Sequence, residues 1–193
     1  APMGEVAPGE TLETLGLERR GYFLYVTRFE PENNPLMVRR AFERVDTPLK
    51  LALVGDAPYA AAYIAEVRDT KDPRVVLPGA IYGHGYHELQ ANSFAYIHAT
   101  EVGGTHPALI EAMGRGALVL YLRTAENEEV AGDAGLAFNG EGELTALIRR
   151  VIAMPGSERD TLRQAATGRV RARYSWDAVT AAYEALLARL LAA

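Results

Sequence analysis

The sequence predicts an α/β fold in which helices cover both faces of a parallel sheet. Short apolar runs rich in β-branched and aromatic residues alternate with segments of helical character along most of the chain, and this alternation is typical of successive β-α-β units. Some runs, such as residues 51–54, are apolar throughout, as expected for strands buried on both faces. We therefore expect a doubly wound, Rossmann-like sheet of about six strands, followed by C-terminal helices.

Six apolar runs are predicted to be the strands of this sheet. Turn-forming residues bound them, as Gly55-Asp56 bounds the second run and Pro78-Gly79 the third. In chain order they cover residues 22–26, 51–54, 74–77, 94–98, 117–121 and 136–138.

Eight segments are predicted to be helices. Pro35 and Pro107 each suit a first helical turn, because proline lacks an amide hydrogen that this turn leaves unpaired. Beyond the last strand, apolar residues recur at the spacing of one helix face. The predicted helices cover residues 35–45, 59–68, 86–92, 107–114, 126–130, 144–152, 158–173 and 175–193. In the last helix we expect burial of Trp176, Val179, Tyr183, Leu186, Leu187 and Leu190.

Composition excludes several classes of protein. The chain has no cysteine, so disulfides, thiolate metal sites and cysteine nucleophiles are excluded. Its formal net charge of -5 argues against a dedicated nucleic-acid-binding protein. The segment 149–173 contains seven arginines against two acidic residues. We expect a solvated helix face there, with a domain interface or weak association with a membrane surface as the alternative.

The N-terminal residues resemble a linker more than a folded segment. Prolines and glycines punctuate residues 1–20, which we predict to be the remnant of an interdomain linker. The chain begins at Ala1 without an initiator methionine and without the features of a signal peptide. We therefore expect the C-terminal half of a longer cytoplasmic protein, either free or peripheral at the inner face of the plasma membrane. Residues 21–174 would form its binding domain, and the helix 175–193 would pack toward a missing N-terminal domain.

The strand order predicts where a ligand would bind. In a Rossmann-like order 3-2-1-4-5-6, the switch point lies between strands 1 and 4, so the candidate loops are residues 28–34 and 99–106. The second loop contains Gly103 and Gly104, which let a ligand approach the backbone closely. A helix start follows, and its unpaired N–H groups favour an anion. An ordinary strand-to-helix turn is the alternative.

Three side chains near these loops are candidates for ligand contacts. Arg28 ends the first strand, and its planar guanidinium suits phosphate oxygens; a surface pair with Glu30 is the alternative. Glu111 lies one turn into the helix and suits a ribose diol, because a carboxylate accepts two hydrogen bonds; a solvated surface residue is the alternative. Glu101 is also expected to reach this pocket.

Other sites are excluded or expected to be structural. His84 and His87 have no third ligand at metal spacing, so we expect no metal. His98, at a strand end, is expected to be a packed core residue. The sequence lacks the dinucleotide fingerprint G-x-G-x-x-G, the P-loop and the G-x-S-x-G elbow, which argues against a dinucleotide dehydrogenase.

Five segments together resemble the C-terminal, donor-binding domain of family 4 glycosyltransferases of the two-domain GT-B type. The segment from Gly103, GGTHPALIEAMGRG, resembles the family signature E-G-F-G-L-P-x-L-E-A-M-A-x-G. This motif is most similar in sequence to that of a bacterial rhamnosyltransferase-like subgroup. The five segments, in the family's order, are residues 25–34, 53–56, 103–116, 129–138 and 174–177.

The resemblance implies a nucleotide diphosphate sugar as donor and sugar transfer with retention, without metal or another cofactor. It implies that Arg28 and the loop Gly103, Gly104, Thr105 and His106 hold the diphosphate. Glu111 would hold the ribose, the base would lie near Ile81 and Tyr82, and the N-terminal domain would bind the acceptor.

Two positions depart from the family pattern. The first of the family's two glutamates falls on Gly103, so Glu101 is the candidate to replace it, with Arg28 as the other catalytic candidate. The family's phosphate-binding lysine falls on Asn33, which we take as the candidate for that place. A sugar-nucleotide 2-epimerase of the same architecture and a non-catalytic nucleotide-binding α/β module stay open as alternatives.

Overall fold

A six-stranded parallel sheet forms the centre of the computed structural model, which describes Gly4 and residues 6–191. The strand order is β3-β2-β1-β4-β5-β6, and every pair is parallel, so the predicted fold class and order are confirmed. The strands are β1 (Tyr22–Val26), β2 (Lys50–Val54), β3 (Val75–Gly79), β4 (Ala95–His98), β5 (Val119–Leu122) and β6 (Leu136–Phe138).

Helices cover both faces of this sheet. They are α1 (Glu10–Leu15), α2 (Pro35–Glu43), α3 (Ala61–Arg68), α4 (Gly83–Asn92), α5 (Pro107–Gly114), α6 (Ala125–Ala131), α7 (Glu141–Ala153), α8 (Gly156–Arg173) and α9 (Trp176–Leu191). Short 3-10 turns, Pro31–Asn33 and Gly132–Ala134, follow β1 and α6.

The core consists of two apolar layers, because alternate strand residues point to opposite faces. Phe23 and Tyr25 of β1 belong to one layer, with residues of α2, α3 and α7. Tyr22 and Leu24 belong to the other, with residues of α1, α4, α5, α6 and α8. Burial on both faces accounts for the uninterrupted apolar strands of the sequence.

The segment predicted to be a linker contains helix α1, which is anchored to the domain. Glu88 of α4 is buried and accepts hydrogen bonds from the backbone amides of Gly9 (2.7 Å), Leu12 (3.0 Å) and Thr11 (3.3 Å). These are amides that a helix start leaves unpaired. Sequence reasoning missed α1 because its cap comes from a residue more than 70 positions away. The role of residues 1–20 as an interdomain linker stays a prediction.

The expected burial of the apolar residues of α9 is wrong. Trp176 is 74% exposed, and Val179, Tyr183, Leu186, Leu187 and Leu190 are exposed as well. The helical pattern identified an apolar stripe, but within the described part of the chain no residue of α9 is buried. That the helix packs toward an N-terminal domain stays a prediction.

The expected solvated arginine face is also partly wrong. Arg159, Arg163 and Arg169 of α8 each donate to backbone carbonyl groups outside their own helix, at Met154, Phe94 and Val130. Their guanidinium groups therefore fasten α8 to neighbouring segments. Across the described residues, no helix combines the length and apolar character needed to cross a membrane.

Candidate functional site

The loops after β1 and β4 open at the switch point and share one cavity of about 360 Å³. All the residues predicted to bind phosphate therefore lie around one cavity. The sequence could indicate this only through the expected strand order. The predicted residues that line it are Arg28, Asn33, Gly103, Gly104, Thr105 and His106.

Two further cavities adjoin this one. A cavity of about 220 Å³ is lined by Ile81 and Tyr82 and shares Arg28 with the first. A cavity of about 280 Å³ is lined by Glu111 and shares Thr105 with it. Because the second and third cavities each share lining residues with the first, the three are neighbours near the carboxyl edge of the sheet, the side on which α/β proteins bind ligands. We call them together the switch-point cleft.

The helix start in this cleft has free backbone donors. Helix α5 begins at Pro107 with His106 as its N-cap, and the His106 side chain makes no capping hydrogen bond. Among the described residues, none accepts a hydrogen bond from the amides of Gly104, Thr105 or His106. Gly103 has φ +150°, and a Cβ there would lie 2.7 Å from Cε1 of His106. Glycine is therefore required at this position to bring the loop and the His106 ring together.

Arg28 extends into solvent at the meeting point of two cavities. Its side chain is 73% exposed, and its Nε lies 3.4 Å from Oε2 of Glu30. The alternative, a surface pair with Glu30, is therefore present in the structure. Arg28 also lines two of the cavities, but its contact with phosphate stays a prediction. An exposed pair of this kind is weak, so an anion entering the cleft can compete for Arg28.

Asn33 faces inward and shapes the loop that carries Arg28. Its Nδ2 donates to the carbonyl of Arg28 (3.0 Å) and to Oε2 of Glu30 (3.1 Å), and its backbone carbonyl accepts from the hydroxyl of Tyr25. Tyr59 also donates to Glu30. The amide hydrogens of Asn33 are therefore already used, and its direct contact with phosphate stays a prediction.

Glu101 lies outside the residues that line the three cavities. It is exposed, and its Oε1 accepts from Nδ2 of Asn34 at 2.9 Å. Asn34 also donates to the carbonyl of Ala99, so these contacts tie the two switch-point loops to each other. The predicted role of Glu101 toward a sugar stays a prediction.

Glu111 belongs to a network that sequence reasoning missed. The hydroxyl of Tyr86 donates to Oε2 of Glu111 at 2.6 Å, and Nε2 of Gln90 donates to the same hydroxyl at 2.7 Å. Burial of the hydroxyl is the main reason why the pKa of Tyr86 lies well above its usual value, and the hydrogen bond to Glu111 raises that pKa further. The phenol therefore stays protonated and orients the carboxylate. Tyr86 and Gln90 are spaced i, i+4 on α4, but only packing against α5 gives them a common partner.

Two histidines behind the loop are neutral. His98 is 3% exposed, as expected for a core residue, and its ring centroid lies 4.7 Å from that of His106. Burial, with a contribution from His106, lowers the pKa of His98 to about 3, and burial also lowers the pKa of His106. At neutral pH, positive charge at this edge therefore comes from Arg28 and from the partial charge of the α5 N-terminus.

No cluster of three or more histidine, aspartate or glutamate side chains suited to a metal ion occurs within residue 4 and residues 6–191. His84 and His87 both lie on α4.

The comparisons with known proteins concern most of the chain. The family described as "Glycosyl transferases group 1" matches residues 20–154. No curated protein sequence matches the chain significantly. Many solved structures match its fold.

Three of those structures illustrate the likeness. HepE (Alr3699) from Anabaena, in a complex with UDP and glucose, has a TM-score of 0.82 and 18% identity over 92% of this chain. Sucrose-phosphate synthase from Thermosynechococcus elongatus has a TM-score of 0.80 and 23% identity over 98%. A glycosyltransferase from Rickettsia africae has a TM-score of 0.82 and 15% identity over 93%. The chain spans 50% of the length of each of these proteins.

Proposed function

The chain belongs to the glycosyl transferases group 1 family, and on that premise we propose that it is the nucleotide-sugar-binding half of a retaining glycosyltransferase. The observation that carries this proposal is the switch-point cleft, where a free helix N-terminus, Arg28 and Glu111 line adjoining cavities. A diphosphate next to a ribose diol has the charge and hydrogen-bonding groups that these residues complement.

In this proposal the donor lies along the cleft with its diphosphate at the α5 N-terminus. The free amides of Gly104, Thr105 and His106 donate to phosphate oxygens, and Arg28 pairs with them from the opposite loop. Glu111, oriented by Tyr86, accepts from the ribose hydroxyls. The base lies toward Ile81 and Tyr82, where the exposed Tyr82 ring offers a stacking surface.

The chemistry follows from the charge of the departing group. When the bond between the sugar and the diphosphate breaks, negative charge develops on the phosphate oxygen. Preorganised backbone donors and a guanidinium stabilise that charge where it forms. These groups do this without a metal ion, so we propose metal-independent transfer. Because the first of the family's two glutamates falls on Gly103, Glu101 is the candidate for contact with the sugar. We also propose that the chain belongs to the rhamnosyltransferase-like subgroup, on the likeness of its motif from Gly103 onward.

The residues that bind the acceptor would come from outside this chain. Because the chain covers about half of its structural relatives, we propose that an N-terminal domain binds the acceptor and closes the cleft. The HepE crystals, described as complexes with UDP, UDP-glucose, or UDP and glucose, support a uridine diphosphate sugar as the first donor to test.

Titration calorimetry on UDP and uridine tests the phosphate part of this proposal. We expect UDP to bind more tightly than uridine, and we expect Arg28→Ala to remove much of that difference. Added salt should also reduce the difference, since an exposed charge pair is screened. Arg40→Ala is a matched control, because Arg40 is an exposed arginine on α2 that lines none of the three cavities. Equal affinity of the wild type for UDP and uridine would remove the phosphate site from this cleft.

A further inference from the structure

A second cleft lies at the opposite edge of the sheet, where the strands begin. It is a cavity of about 430 Å³, a volume within the usual range of small-molecule sites. Gly114 and Gly116, which precede β5, and Ala91, near the end of α4, line it. We call it the amino-edge cavity. Its lining includes five arginines, namely Arg19, Arg20, Arg115, Arg163 and Arg171.

Two of these arginines have clear structural roles. Arg20 donates through Nη1 to the carbonyl of Ser93. Arg163 donates to the carbonyl of Phe94 at 2.9 Å and pairs with Asp160, also at 2.9 Å. Both therefore hold the segment that leads into β4, and their presence requires no ligand.

The other three arginines have no such role. Within residue 4 and residues 6–191, no carboxylate lies within ion-pair distance of Arg19, Arg115 or Arg171. Burial lowers the pKa of Arg115, and the charge of Glu111 opposes that shift from a greater distance. The Nε atoms of Arg115 and Arg163 are buried, and no described residue accepts a hydrogen bond from them. Because these two atoms are closed off from the cavity, a ligand there would meet the exposed parts of the guanidinium groups, of which those of Arg19, Arg115 and Arg171 have no ion-pair partner among the described residues.

The concentration of positive charge affects the buried Arg20. Burial lowers the pKa of Arg20 to about 10, and the positive charges of Arg163 and Arg19 contribute to that shift. Like charges held together destabilise the fold, and an anion between them would remove that cost.

We propose that the amino-edge cavity is a binding site for a multiply charged phosphate group. Guanidinium groups match phosphate oxygens with paired hydrogen bonds. Four glycines, Gly4, Gly114, Gly116 and Gly168, line the cavity and allow a ligand to approach the backbone closely. The site is separate from the switch-point cleft and does not depend on the proposed function. A lipid headgroup and a soluble phosphate ester share the required chemistry.

Inorganic pyrophosphate is the probe for a soluble phosphate. The isotope-labelled chain is titrated while the backbone amides of its glycines are followed by NMR. We expect Gly114, Gly116 and Gly168 to shift, and we expect these shifts to persist in Arg28→Ala, which alters only the switch-point cleft. In the double variant Arg19→Gln/Arg171→Gln, the dissociation constant from these shifts should rise at least tenfold. Both residues are exposed, so the double variant should fold.

The matched control is the double variant Arg150→Gln/Arg173→Gln. It removes the same charge from exposed positions that do not line the cavity, so its affinity should stay near that of the wild type. Sedimentation with phosphatidylglycerol vesicles tests the lipid source. If the wild type and the control sediment with the vesicles but Arg19→Gln/Arg171→Gln does not, the phosphate group that the cavity binds is that of a lipid headgroup. The proposal is overturned if millimolar pyrophosphate leaves the amino-edge glycines unshifted and vesicles do not bind, or if both double variants lose binding equally.

Discussion

The hydroxyl of Tyr86 donates to Oε2 of Glu111 across the interface of α4 and α5, with 2.6 Å between the oxygens. Gln90 donates to the same hydroxyl from one turn further along α4. The Tyr86 hydroxyl thus accepts a hydrogen bond from Gln90 and donates one to Glu111, and these two partners fix the direction of its O–H bond. This arrangement holds the Glu111 carboxylate at the cavity wall with its other oxygen free of Tyr86, as contact with a diol requires.

Removing the Glu111 carboxylate should weaken nucleotide binding with little effect on the fold. We expect Glu111→Ala to reduce UDP affinity by about 1.5–3 kcal/mol, the range for hydrogen bonds to a charged group. Titration calorimetry measures the affinity, and thermal unfolding measures stability. A fall in melting temperature with unchanged UDP affinity would instead assign Glu111 a purely structural role.

Removing only the Tyr86 hydroxyl tests whether orientation of the Glu111 carboxylate matters in addition to its contact with the nucleotide. In Tyr86→Phe the carboxylate remains but loses its neighbour, so UDP affinity should fall by about 0.5–1.5 kcal/mol, less than in Glu111→Ala. In the double variant Tyr86→Phe/Glu111→Ala the two losses should not add, because the hydroxyl acts through the carboxylate. Tyr183→Phe, at an exposed position of α9, serves as the control. Full additivity would show that Tyr86 affects binding independently of Glu111.

The two glycines of the β4–α5 loop should respond differently to a methyl group. In Gly103→Ala the new Cβ meets the His106 ring and the residue keeps φ +150°, so we expect a loss of about 1–3 kcal/mol of stability. At Gly104 no atom of the described residues lies within 4 Å of such a Cβ, so the stability of Gly104→Ala should stay near that of the wild type. Urea unfolding of the two variants measures the difference. Equal stabilities would show that the loop relaxes around the methyl group.

The buried His98 should make stability depend on pH. Its pKa is about 3 in the fold, against 6.5 for an ordinary histidine, so the unfolded chain binds the additional proton between these values. The free energy of unfolding should therefore fall as pH drops below 6.5. His98→Leu should reduce that slope, and because no described residue forms a hydrogen bond with either ring nitrogen of His98, it should cost little stability at pH 7. His84→Leu, at an exposed position, is the control, and an unchanged slope in His98→Leu would contradict the assignment.

The sequence by itself determined the fold class and, given the Rossmann-like strand order expected of that class, the loops of the site. Strand periodicity and uninterrupted apolar runs are local properties, and the carboxyl ends of β1 and β4 must meet once the sheet has its order. Arg28 and Gly103–His106 could therefore be assigned to one place from their positions alone.

Only the tertiary structure decided which side chains are free to act. In the fold, the Asn33 side-chain amide donates to the backbone of its own loop. Glu101 lies outside the cavities, and the Tyr86 hydroxyl donates to Glu111. The fold also caps α1 with Glu88 and leaves the stripe of α9 uncovered. These outcomes depend on contacts between residues far apart in the chain, and a local pattern records that a residue is polar or apolar but not which partner it meets.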